Sequence, residues 1–128
     1  MKRFVRLTQE FNFNKIGVFR IQDDRLDYHL ESDEKGVILY AIVVQENNDQ
    51  FVRYVGRSSY GLRSCLDRIK TGSHAQETNF RLNQNILFCL RHNSSVSIYY
   101  LLIEENDRIA DQIKKRIIED KWRPDWNL

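Results

Sequence analysis

The chain is 128 residues long, 41% hydrophobic and 12% aromatic, with only five Gly and one Pro. Those values exclude a disordered, collagen-like or low-complexity chain and suffice for one domain around an ordinary core. The formal net charge of +2 is too small to dictate a partner, and there is no run of about 18 apolar residues to cross a bilayer.

The opening "MKRFVRLTQEF" scatters charge where a secretory leader would be apolar, so a cytoplasmic location is expected. It continues into "RFVRLTQEFNF" and "IGVFRIQ", which have the composition and partial alternation of strands. "QDDR" reads as a turn and "LDYHL" as a third short strand. "GVILYAIVV" is an almost unbroken run of β-formers, as expected of a central strand buried on both faces. The polar turn "ENNDQ" returns the chain into "FVRYVG" as a hairpin partner.

Gly61 precedes a helix with Leu62, Cys65, Leu66 and Ile69 on one stripe, and "TGSHAQ" is a loop. "NFRLNQNILFCLRHN" reads as a second helix and "SVSIYYLLI" as a strand. "DRIADQIKKRIIEDKW" is a third helix, with Ile109, Ile113, Ile117 and Ile118 at helical spacing and Pro124 beyond its end. The order predicts an α+β fold: a small central antiparallel sheet flanked by three helices, with a β-rich N-terminal segment. Residues 1–35 are expected to form that extension packed on a 36–128 domain, as one globular unit. Cys65 and Cys89 are expected as free thiols, and no set of four ligands at zinc spacing is present.

Charge is unevenly spread. Residues 1–50 hold seven Lys/Arg against nine Asp/Glu, and residues 104–128 hold six against seven. Residues 51–103 hold seven (Arg53, Arg57, Arg63, Arg68, Lys70, Arg81, Arg91) against two, Asp67 and Glu77. A middle of +5 between flanks of −2 and −1 is the kind of asymmetry that attracts phosphate backbones; the plainer reading is a solvated, Arg-rich surface.

"VILYAIVV" followed by "RYVG", then helix, helix, strand, helix and a terminal "RPDWN", resembles the GIY-YIG endonuclease superfamily over residues 36 to 127; the strands ahead of it resemble those of small phage-type members. The resemblance implies that Tyr40 corresponds to the tyrosine of the first motif, and Tyr54, Val55 and Gly56 to the second. Arg57 falls where a Lys or Arg often follows the glycine. His74 and Asn83 are similar to polar positions that face the substrate, and Asn127 to a terminal Asn that pins the chain end to the site. Tyr40, Tyr54 and His74 are thus the retained catalytic-type positions. Arg57, Arg63, Arg68, Lys70, His74, Arg81 and Asn83 are the candidate contacts to nucleic acid, double-stranded DNA in this family.

Three working positions depart from the pattern. Helical phasing puts Cys65 in the slot of the catalytic Arg, Ile69 where a His or Tyr is expected, and Lys114 in the slot of the metal-binding Glu. A hard cation such as Mg²⁺ wants oxygen ligands, which an ammonium does not offer. A neutral thiol cannot replace a guanidinium fork, whose equivalent in phosphoryl transfer is worth roughly 10³ to 10⁵ in rate. The resemblance therefore implies a catalytically impaired nucleic-acid binder with no metal. Two alternatives stand beside it. One is an active Mg²⁺-dependent endonuclease with Asp111 on the metal, Arg68 as cation and His74 as base. The other is a protein-interaction module or inhibitor built on the nuclease fold.

Overall fold

The computed structural model describes residues 13–103, 107–117 and 124–127. Within them the elements are β1 (Asn14–Gln22), β2 (Arg25–Leu30), β3 (Val37–Glu46), β4 (Asp49–Ser58), α1 (Leu62–Thr71), α2 (Glu77–Arg91), β5 (Ser95–Ile103), α3 (Asp107–Ile117) and a 3₁₀ turn (Asp125–Asn127). The strand expected at the N-terminus and the last turns expected of the third helix lie outside the described residues.

The five strands form one antiparallel sheet in the order β2-β1-β5-β3-β4. The β1–β2 connection is the two residues Asp23 and Asp24, both at positive φ (52° and 64°), the twist that short hairpins need and that Asp tolerates better than most residues. β1 and β2 thus enter the same sheet as the hairpin β3–β4. The unbroken apolar stretch Ile38–Val44 is buried throughout because β3 sits between β5 and β4 with helices on both faces.

The helices divide between the faces. On one, α1 and α2 cover Ile16, Phe19, Tyr28, Ile38, Tyr40, Ile42 and Ile98 with Leu62, Leu66, Ile69, Leu82 and Ile86. On the other, α3 lays Ile109, Ala110 and Ile113 over Leu39, Ala41, Val43, Val52 and Val55. Each large aliphatic side chain so buried contributes about 1.5–3 kcal/mol. The stripe Leu62, Leu66, Ile69 fixes the phase of α1 as the sequence predicted. That helix ends at Gly72 in the left-handed region (φ 61°), whose N–H donates to the Arg68 carbonyl at 2.9 Å. Among the described residues no helix is long and apolar enough to cross a membrane.

Candidate functional site

The site is built on an irregularity in β4. Ile42 pairs with Tyr54 but Val43 pairs with Val52, leaving Arg53 as an extra residue. A regular strand would send Val52 and Val55, three apart, to opposite faces. The bulge lets both pack under α3 while Tyr54 turns to the α1–α2 face beside Tyr40. The two tyrosine rings lie 5.9 Å apart between centroids, tilted by 43°. Opposite Tyr40 in the register is Gly56, and a β-carbon there would lie 2.5 Å from Tyr40 Cζ and 2.6 Å from its hydroxyl. The glycine of the second motif is the space occupied by the tyrosine of the first.

Tyr40 is 4% exposed. Burial holds its hydroxyl well above the ordinary value, and the neighbouring Cys65 and Tyr54 add to the effect. Burial also raises Tyr54, offset by the hydrogen bond from Tyr40. Cys65 reaches this cluster from α1. Burial pushes its thiol up to about 11, against the lowering effect of the neighbouring Ser58 and Tyr40 hydroxyls, and Sγ–H donates to the Leu62 carbonyl at 3.0 Å. At neutral pH the position next to Tyr40 carries a protonated thiol, neither a cation nor a nucleophile.

The open side of the pair is bounded by α2 and the 3₁₀ turn. Arg81 lies close enough to lower the Tyr54 pKa electrostatically, and its guanidinium donates to the Trp126 carbonyl at 2.9 Å. Asn127 Nδ2 donates to the Val55 carbonyl at 2.8 Å and its Oδ1 accepts from the Val55 N–H at 2.9 Å. This side chain completes the hydrogen bonds of the sheet's outer edge as a further strand would. Arg53, turned outward by the bulge, donates to Asp125 at 3.1 Å and lies 3.9 Å from Glu46.

Asp111 and Lys114 lie elsewhere. Arg57 stands opposite Leu39 on the α3 face, and its Nε makes a 2.7 Å ion pair with Asp111. Lys114 is half-buried beside this pair: burial lowers its pKa, Asp111 opposes that and Arg57 adds to it. Neither α3 residue shares the sheet face of Tyr40 and Tyr54. A carboxylate already bound to a guanidinium, with an ammonium alongside, is a poor donor set for a divalent cation. Among the described residues no cluster of three His, Cys, Asp or Glu offers another. Among the described residues, the Arg57–Asp111 pair does not fit a hard divalent cation.

The other expected contacts scatter. Asn83, expected to face substrate, is buried instead: its amide donates to the Ile69 and Lys70 carbonyls at 2.9 and 3.0 Å. It fills the space a Gly72 β-carbon would take, 2.7 Å from its Nδ2. The physical reason is that the last carbonyls of α1 need donors, and this amide is the one packed against them. His74 is exposed and stacks on Phe80, centroids 4.1 Å apart. Arg68, also exposed, lines a cavity of about 290 Å³ with Asp67, Thr71, Ser73 and Gln76. Arg63 lies 3.8 Å from Asp33, and Lys70 3.1 Å from Asp27, on the β2 side of α1.

The motifs in the sequence did not single out Ser58. Its hydroxyl lies beside the Cys65 thiol, whose pKa it lowers, and donates to the Gly61 carbonyl at 2.6 Å. Its signal was only its place two residues past Gly56, which alternation sends to the Tyr40 face. The carboxylates that neutralise the basic middle (Asp27, Asp33, Glu46, Asp111, Asp125) come from outside it and had no local signal at all.

Neither a family model nor a curated protein matches the sequence. Among solved structures, a point mutant of bacteriophage T4 EndoII superposes with a TM-score of 0.71 at 20% identity, covering 95% of this chain and 96% of that one. The restriction endonuclease Hpy188I, solved in complex with product DNA, gives a TM-score of 0.52 at 15% identity over 90% of this chain and 78% of that one. Identities this low speak to architecture alone: the chain has an α+β fold similar to those nucleases, with a five-stranded antiparallel sheet and three helices.

Proposed function

We propose that this chain is a GIY-YIG superfamily protein with impaired cleavage chemistry that binds nucleic acid, double-stranded DNA in the first instance. The single observation that carries the reading is the neighbour of Tyr40: a partly buried, uncharged thiol, where phosphate cleavage needs a fixed cation. The Arg57–Asp111 ion pair supports the same conclusion, because it lies on the α3 face of the sheet, away from Tyr40 and Tyr54. The likeness to two nucleases, one of them solved with product DNA, supports nucleic acid as the ligand. We further take residues 1–35 as an extension of a 36–128 nuclease-like unit; the shared sheet of β1, β2 and β3–β5 supports one globular body.

In this reading Tyr54, Arg81 and the exposed Arg68 and His74 meet phosphate or sugar, while Tyr40, Cys65 and Ser58 form the floor. Arg57, Arg63 and Lys70 contribute by exchanging their carboxylate partners for phosphates, since exposed ion pairs are worth only about 0–1 kcal/mol.

Incubation of the purified protein with supercoiled plasmid and Mg²⁺ or Mn²⁺ should leave the plasmid intact, while labelled duplex binds with an affinity that falls steeply with salt. Replacing Arg68 and Arg81 with Ala should flatten that salt slope by about one unit for each phosphate these side chains neutralise. Nicking that Asp111→Ala or Tyr54→Phe abolishes would overturn the impaired-nuclease reading.

A second reading, a protein-interaction module, is favoured by one observation: Arg53, Arg57, Arg63 and Lys70 are all already paired with carboxylates. Duplex affinity that is absent or flat between low and moderate salt would move the conclusion there.

A further inference from the structure

We propose that Tyr60, in the turn between β4 and α1, is a stacking platform for an unpaired nucleobase of a bound nucleic-acid strand. The proposal rests on the nucleic-acid reading above and adds to it the kind of strand the site selects.

Tyr60 is 84% exposed, the most exposed large hydrophobic among the described residues. A single apolar side chain at the surface is ordinary; the backbone beneath this one is not loose. The Tyr60 N–H donates to Ser58 Oγ at 3.4 Å and Ser58 Oγ–H donates to the Gly61 carbonyl at 2.6 Å. The next two N–H groups, of Gly61 and Leu62, donate to the Gly36 and Glu34 carbonyls, each at 3.1 Å. The turn is thereby tied to the β2–β3 connection on one side and to the end of β4 on the other, and it holds the ring in solvent. No packing in the described residues uses that ring face.

The position is also chemically informative. The hydroxyl that ties the turn, Ser58, lies beside the Cys65 thiol, and that thiol lies beside Tyr40. Tyr60 therefore stands at the margin of the tyrosine pair. Arg57 lies three residues before it and Arg63 three after. Arg63 is held by a 3.8 Å contact to Asp33 with its side chain 53% exposed, and Arg57 also donates to Ser59 Oγ in the same turn at 2.6 Å. Surface ion pairs of this kind yield readily to phosphate.

An exposed aromatic face flanked in sequence by two arginines matches a strand whose phosphates meet the cations and whose base lies on the ring. Bases inside a duplex have both faces covered by neighbours, so such a ring favours a base already out of the stack, as in a bulge or beside a lesion. Because the turn is held in advance, little ordering is lost when the base arrives.

The test uses the full chain and three fluorescein-labelled duplexes: one with a single unpaired thymine, one with an abasic residue in its place, and one fully paired. Anisotropy titrations should give the unpaired-base duplex an advantage of about tenfold over the abasic one. Tyr60→Ala should erase that advantage and leave abasic binding unchanged, with its melting temperature reporting an intact fold. Tyr60→Phe should keep it, and the indole emission introduced by Tyr60→Trp should be quenched by the unpaired-base duplex alone. If wild type binds all three duplexes alike, or Tyr60→Ala retains the preference, the platform is overturned while the nucleic-acid reading survives. Failure of wild type to bind any duplex at low salt overturns both.

Discussion

At Gly56 the ring of Tyr40 fills the volume that any β-carbon would need, so the two tyrosine motifs specify each other through van der Waals exclusion. Gly56→Ala should cost about 1–3 kcal/mol of stability, the usual range for overpacking a filled core, because Tyr40 is fully enclosed and has no alternative well to enter. Urea denaturation measures it; an unchanged midpoint would mean that the Tyr40 ring is not where the structure places it. The same enclosure explains the chemistry at Cys65. A thiol without a compensating cation stays protonated when buried, so the residue beside Tyr40 neither draws phosphate nor attacks it.

At the scale of elements, β4 is where the sequence departed from simple alternation. Val52 and Val55 could both be buried only if the strand carried an extra residue, and Arg53 is that residue. The bulge aims Tyr54 inward and Arg53 outward, where it meets Asp125 of the C-terminal turn. That turn then closes the exposed edge through Asn127, which takes both backbone groups of Val55. Asn127→Ala removes two hydrogen bonds to a part-buried edge, each worth about 0.5–1.5 kcal/mol net. A loss of about 1–3 kcal/mol is expected, with hydrogen exchange at the Val55 amide accelerating more than at central β3 amides. Equal protection of Val55 in both proteins would show that the turn does not hold the edge.

For the whole molecule, the decisive feature is where the charges find their partners. Four of the seven cations in residues 51–103 (Arg53, Arg57, Arg63 and Lys70) meet carboxylates from outside that stretch, Asp27, Asp33, Glu46, Asp111 and Asp125, so the molecule presents a milder surface than its middle third suggests. The titrating groups also set how stability responds to pH. Burial, aided by Asp67, raises Tyr28 from 10.0 to about 12, and burial raises Cys65 from 9.0 to about 11. Both favour the fold while protonated: their contribution is complete below about pH 9 and is lost as pH climbs through 9 to 12. The urea midpoint should therefore fall across that window; burial also raises Cys89 from 9.0, so replacing both cysteines with Ser should delay the onset toward pH 10. Asp27 works with the opposite sign; the hydrogen bond from Arg20 leads in lowering its pKa, so its contribution is present above the ordinary carboxylate value and lost in acid. A midpoint flat from pH 9 to 12 would contradict the burial of these groups.

How much of this was legible beforehand follows from the range of the interactions. Periodicity and turn residues act within a few positions, so "GVILYAIVV", the Leu62–Leu66–Ile69 stripe, the Asp23-Asp24 turn and the order of elements could be read along the chain. The phase of α1 that turns Cys65 toward the sheet could be read too, because helical phase is local. Long-range pairing could not. Nothing near Asn83 indicates that its amide closes α1, nothing near Arg57 that Asp111 binds it across the α3 face, and nothing near Ser58 that it joins a turn to a buried thiol. Those pairings join residues between 7 and 54 positions apart, and only the packing of sheet against helices selects them from the many partners of suitable chemistry.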